Sequence, residues 1–189
     1  MTNPEERYFE DYPLGQVMEF GPVDVKQEEI IEFAQKFDPQ YFHTDPQKAE
    51  HSIFGGLIAS GWHTASMVMR LMVEHYLSPK ASLGSPGIDE LRWLKPVYPG
   101  NQLHVRTTVL DCKRSRSKTD RGIIITLIEV LNQEKELVMS FKATNFMLIN
   151  PDPRRLSDCI RFQLRLENCG WSKQYQRLMI NIFSIYFRN

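Results

Sequence analysis

Cysteine is scarce in this chain of 189 residues: Cys112, Cys159 and Cys169 form an odd set without metal-type spacing. That argues against a disulfide scaffold, and reduced, incidental thiols are the reading. Histidines 43, 51, 63, 75 and 104 include no short helical ligand pair, so a metal site is not expected; no cofactor is expected either. Net charge is missing too, with 23 Lys and Arg against 23 Asp and Glu. Nothing global therefore draws nucleic acid or an anionic membrane. No apolar run reaches membrane-spanning length, since Ser60, His63 and Arg70 interrupt Leu57 to Val73. The opening residues, Met1 to Arg7, are polar and lack the apolar stretch of a signal peptide. A soluble protein of the cytoplasm is expected.

What is present is ordinary for a globular protein: 42% hydrophobic and 24% charged residues, enough for one domain with a full core. Val17 to Gly21 reads as a first strand. Asp24 then offers an N-cap, with Gln27 as its capping-box partner. Ile30, Phe33, Ala34 and Phe37 follow at helical spacing, and Pro39 ends the helix at Asp38. A short helical piece around Asp45 to Glu50 leads into Gly55-Gly56. From about Leu57 to Leu77 the chain reads as a long helix, so apolar all round that burial is expected. Arg70 and Glu74 are spaced to pair on it. Strands follow. Ile88 to Leu94 is one. Leu103 to Val109 alternates, Ile123 to Val130 is apolar on both faces as a central strand would be, and Leu137 to Ala143 alternates again.

One strand, helices and then a run of long antiparallel strands imply an α+β domain, with a central helix wrapped by a curved sheet. Such a sheet leaves an edge and a face uncovered, so a homodimer is expected. After Ile149, Asn150-Pro151-Asp152-Pro153 marks a boundary. Residues 150–189 form a basic extension without a legible role, carrying seven Lys and Arg against three Asp and Glu.

Asp38 and His43 are the most informative residues, set five positions apart on a Pro-bearing loop just past a helix end. A carboxylate and an imidazole so placed can grip one water molecule. The small-residue run Gly55 to Gly61 then approaches the long helix. Together they read as an acid–base pair facing an oxyanion hole, which points to an enzyme. The plainer readings are a turn-initiating Asp38, a satisfied loop histidine at 43 and a close-packed Gly61.

Four segments carry a resemblance, in order along residues 8–149. They are Tyr8-Phe9-Glu10-Asp11, Phe37 to His43, Phe54 to His63, and Leu91 to Gly100. The chain resembles the MaoC-like dehydratases, relatives of the (R)-specific enoyl-CoA hydratases with the hot-dog fold. The resemblance implies a hot-dog domain over residues 1–149 and an acyl-CoA thioester as substrate in fatty acid metabolism, handled by a homodimer. The implied reaction is reversible hydration of a trans-2-enoyl-CoA to the (R)-3-hydroxyacyl-CoA. The family's catalytic Asp and His fall on Asp38 and His43, and its oxyanion donor, a backbone N–H at the start of the long helix, on Gly61. Asn101 stands where many relatives carry an acid.

The chemistry suits those groups. Negative charge develops on the thioester oxygen while water adds to C3 and a proton to C2. An N–H at a helix N-terminus stabilises that charge, and Gly61, lacking Cβ, would admit a flat thioester. Ser60, Trp62 and His63 read as packing or pocket wall. The basic stretch Lys113 to Arg121 reads as a solvated hairpin, with contact to CoA phosphates the sharper alternative. An acyl-CoA thioesterase on the same fold and a non-catalytic acyl-CoA-binding subunit are the rival functions. The lack of an acid from Leu57 to Val73 favours hydration over hydrolysis.

Overall fold

The structure, a computed structural model, describes residues 4–152. From residue 153 onward the basic extension expected over 150–189 lies outside the described residues, as do Cys159 and Cys169. The element order is β1 (Val17–Asp24), α1 (Gln27–Phe37), α2 (Tyr41–Thr44), α3 (Pro46–Ala49), α4 (Gly61–His75), β2 (Gly87–Trp93), β3 (Gln102–Arg114), β4 (Arg121–Leu131) and β5 (Leu137–Leu148). The five strands make one antiparallel sheet in the order β1-β3-β4-β5-β2. The strand with apolar residues on both faces, β4, occupies its middle, as its sequence predicts.

Alternation decides which face is covered. Leu103, Val105 and Val109 of β3, Ile124, Ile128 and Val130 of β4, and Met139 and Met147 of β5 are buried. Most of their neighbours in sequence are partly or fully exposed on the opposite face, the buried Val138 of β5 excepted. Against the covered face lies α4, which contributes Met67, Val68, Leu71 and Met72 at helical spacing. Just past its end, the Tyr76 hydroxyl meets Thr126 Oγ1 of β4 at 2.8 Å. This α+β arrangement of one curved sheet around a long helix is the hot-dog fold.

Three local expectations are corrected. Asp24 does not cap α1: its backbone pairs with Gln102 in the sheet, and Gln102 Nε2 donates to its carboxylate at 2.9 Å. Lys26 is the N-cap instead. The long helix starts at Gly61, not Leu57. Residues 57–60 are held extended, Ile58 N–H donating to Phe42 O (3.1 Å) and Ala59 N–H to Val97 O (2.8 Å). Nor is α4 buried all round, because Trp62, Met69 and Val73 form a stripe 51–57% exposed in the single chain. The Arg70–Glu74 pair does form, at 2.9 Å.

Candidate active site

Asp38 closes α1. Its N–H donates to Ala34 O at 2.9 Å as the last helical bond, and its own φ of −150° and ψ of 66° take the chain out of the helix before Pro39. The one-turn helix α2 then carries His43, only 5% exposed, its ring braced edge-on by Phe42 with centroids 4.5 Å apart. His43 Nδ1 lies 2.8 Å from the carbonyl oxygen of Ile58. A carbonyl only accepts, so Nδ1 carries a proton and Nε2 is the nitrogen turned to the site. Asp38 Oδ2 stands 3.5 Å from that Nε2. The gap is long for a direct bond and suits two groups sharing a solvent oxygen.

Ser60 supplies what the sequence reading missed. It is fully buried, and its hydroxyl donates to Asp38 Oδ2 at 2.7 Å. The same oxygen accepts from Trp62 N–H at 3.3 Å, making Ser60 the N-cap of α4. From the open side Gln40 Nε2 donates to Asp38 Oδ1 at 2.8 Å. Burial pushes the Asp38 pKa up, but the Ser60 and Gln40 donors and the nearby His43 outweigh it, leaving the carboxyl below its ordinary value. Asp38 is thus held ionised. The capping serine was legible, since Ser before a helix start is a common cap; its second bond, across 22 positions, was not.

Gly61 is the first residue of α4, so its N–H has no carbonyl one turn back to bond. It borders a cavity of about 430 Å³ together with Asp38, His43 and Ser60. Phe42, Phe54, Ile58, Trp62, Trp93 and Val97 give that cavity a mostly apolar wall, and among the described residues Asp38 is the one carboxylate on it. The three residues singled out by sequence therefore converge on one space. For glycine at 61 the structure supports the close-packed reading. A Cβ there would lie 2.5–2.8 Å from three atoms of the Trp93 indole, so the missing side chain admits Trp93.

Of the residues expected to be wall or packing, Trp62 lines the cavity. His63 does not: it is buried, stacked on Phe33 with centroids 4.9 Å apart, and burial lowers its pKa against the opposing pull of Glu29. Asn101, in the place of an acid, still closes its turn, its Oδ1 accepting from Tyr98 N–H at 3.0 Å. The basic hairpin lies at the far end of the sheet. Val138 of β5 lines the cavity, whereas Gly122, at the hairpin root, pairs with Met147. Nine residues of strand span about 30 Å. Arg121 is already held by Asp120 through two bonds of 2.8 Å. Within one chain the hairpin therefore reads as a solvated turn. Among the described residues no cluster of three His, Cys, Asp or Glu side chains could hold a metal ion, and no helix is long and apolar enough to cross a membrane.

A family profile described as "MaoC like domain" matches residues 10–129. The crystal structure of a MaoC-like dehydratase from Rhodospirillum rubrum is 40% identical, with a TM-score of 0.72 over 77% of this chain and 99% of that one. Uncharacterized protein YdeM of Bacillus subtilis is 32% identical over 126 residues, 67% of this chain and 88% of its own length. The 3-hydroxyacyl-thioester dehydratase Z of Mycobacterium tuberculosis is 28% identical over 115 residues, 60% of this chain and 76% of its own.

Proposed function

Since the chain belongs to the MaoC-like dehydratase family, we propose that it is a hydro-lyase interconverting a trans-2-enoyl-CoA and the (R)-3-hydroxyacyl-CoA. The observation that carries the proposal is the convergence of Asp38, His43 and Gly61 on one mostly apolar cavity. A water between Asp38 Oδ2 and His43 Nε2 gives its oxygen to C3 of the enoyl group and a proton to the pair. The pair returns a proton to C2 on the same face, and atoms balance with nothing else consumed. Between those events the thioester oxygen carries negative charge, which the Gly61 N–H and the positive end of α4 stabilise. Asp38, kept ionised by Ser60 and Gln40, is the ready acceptor. His43 presents one nitrogen to the site because Ile58 occupies the other.

Hydrolysis of the thioester is the weaker reading. The one acid on α4, Glu74, lies in its last turn, exposed and paired with Arg70. A homodimer is part of the proposal. Among the described residues no strand pairs with the outer edge of β2, and Ile88 and Trp93 of β2 and the adjoining Leu94, with Trp62, Met69 and Val73 of α4, are 46–57% exposed. Incubation of the purified protein with crotonyl-CoA tests the reaction. Loss of enone absorbance without free thiol is the expected result; thiol release would make it a thioesterase, and binding without turnover a carrier.

A further inference from the structure

Trp93 is the end of an edge strand, yet it reaches the head of α4. The cause is a bulge in β2. Asp89 pairs with Lys142 and Arg92 with Ser140, so β2 spends three steps where β5 spends two. Glu90 takes the turn with a φ of +55°, and its carboxylate is tied to Lys142 Nζ at 2.7 Å. One extra residue in a strand flips the faces of all that follow. Without it, the side chain of Arg92 would stand opposite Met139. With it, Trp93 does, and the indole is turned toward α4.

There it grips Gly61 twice. Nε1–H donates to the Gly61 carbonyl oxygen at 3.0 Å, and the ring occupies the space of the missing Cβ, with Cε2, Nε1 and Cδ2 at 2.5, 2.6 and 2.8 Å from that position. A glycine at the first turn of a helix has the widest backbone freedom of any residue. Trp93 removes it from outside, on the carbonyl and on the Cα, and leaves the N–H as the unclaimed group beside the cavity. Trp62 braces the indole edge-on, with centroids 5.3 Å apart at 77°.

We propose that Trp93 is a positioning residue for the reaction: it fixes the Gly61 peptide so that its N–H meets the developing oxyanion. The inference rests on the hydratase reading for its kinetic part only. An amide misplaced by a fraction of an ångström costs little in ground-state binding and much in the transition state, where the charge is.

The test is a double-mutant cycle on the full chain with crotonyl-CoA. Trp93→Ala is expected to lower kcat roughly 10–100-fold and to change KM by less than about threefold. Trp93→Phe, which keeps a ring and loses the N–H, should fall between. Gly61→Ala should harm the wild-type chain, where the new Cβ meets the indole. In the Trp93→Ala chain it should be harmless or restore part of kcat, since the Cβ then restricts the backbone itself. Additive effects of the two substitutions, or a Trp93→Ala chain altered in KM alone, would overturn the proposal. If the wild type turns over no enoyl thioester, the functional reading fails separately. The same cycle read by thermal melting and by hydrogen exchange of the Gly61 amide then decides the Trp93–Gly61 coupling, and additivity there would sink it.

Discussion

The two ends of α4 both bring polar groups into the interior, and they treat them in opposite ways. At the C-terminal end Tyr12, Tyr76 and Arg7 each find a fixed partner. Tyr12 Oη donates to the Tyr76 carbonyl at 2.6 Å, Tyr76 Oη meets Thr126 at 2.8 Å, and Arg7 donates to the His75 carbonyl at 2.9 Å. Burial pushes the Tyr76 phenol up to about 12 and that of Tyr12 higher still, so neither ionises near neutrality. At the N-terminal end the Asp38–His43 gap is 3.5 Å and Gly61, the first residue of the helix, borders an open cavity. Saturated polar groups fasten the N-terminal segment to the helix. Groups held rigidly by Ser60, Gln40, Ile58 and Trp93, but left short of a partner beside a void, are poised for a substrate.

That contrast can be broken from either end. The largest effect is expected from Asp38→Asn and His43→Gln, each lowering crotonyl-CoA hydration about a thousandfold while melting stays near wild type; near-normal rates in both would refute the assignment. Ser60→Ala removes a donor to Asp38 and a helix cap together. A loss of roughly 10–100-fold in kcat/KM is expected, with about 1 kcal/mol of stability, measured by kinetics and denaturant unfolding. Tyr12→Phe is the converse. It should cost about 1 kcal/mol, seen as a Tm lower by about 2–4 °C, and leave hydration unchanged. A kinetic defect there would erase the distinction between the two ends.

The smallest effect is in pH. The Asp38 pKa is lowered on folding from its ordinary 3.8. Its contribution to stability is therefore fully present above that value and lost as pH falls through the lower folded value. The stability difference between the wild type and Asp38→Asn should be flat above about pH 5 and shrink only under more acid conditions. Unfolding curves at a series of acid pH values check it, and a difference that kept its full size below about pH 3 would contradict the assigned charge state.

Much of this was legible in the sequence because it rests on local pattern. The two-faced apolar run of β4 placed it mid-sheet, and Pro39 after Asp38 located the helix exit. The spacing to His43 suggested a pair that the short helix α2 does assemble. What stayed hidden depends on contacts far apart along the chain. Residues 57–60 are as apolar as the helix they precede, and bonds to distant groups, the Phe42 and Val97 carbonyls, the His43 ring and the Asp38 carboxylate, hold them extended. Asp24 carries a capping signal that pairing with Gln102 overrides. The reason for glycine at 61 lies 32 positions away, in an indole that a bulge has turned over.

Hydration of crotonyl-CoA in deuterium oxide tests the central claim most directly, since one pair of side chains on one wall handles both the hydroxyl and the proton. The product should carry a single deuterium at C2, on the same face as the new hydroxyl at C3. Deuterium on the opposite face would mean that C2 is protonated from another wall, and that Asp38 and His43 do not share the water.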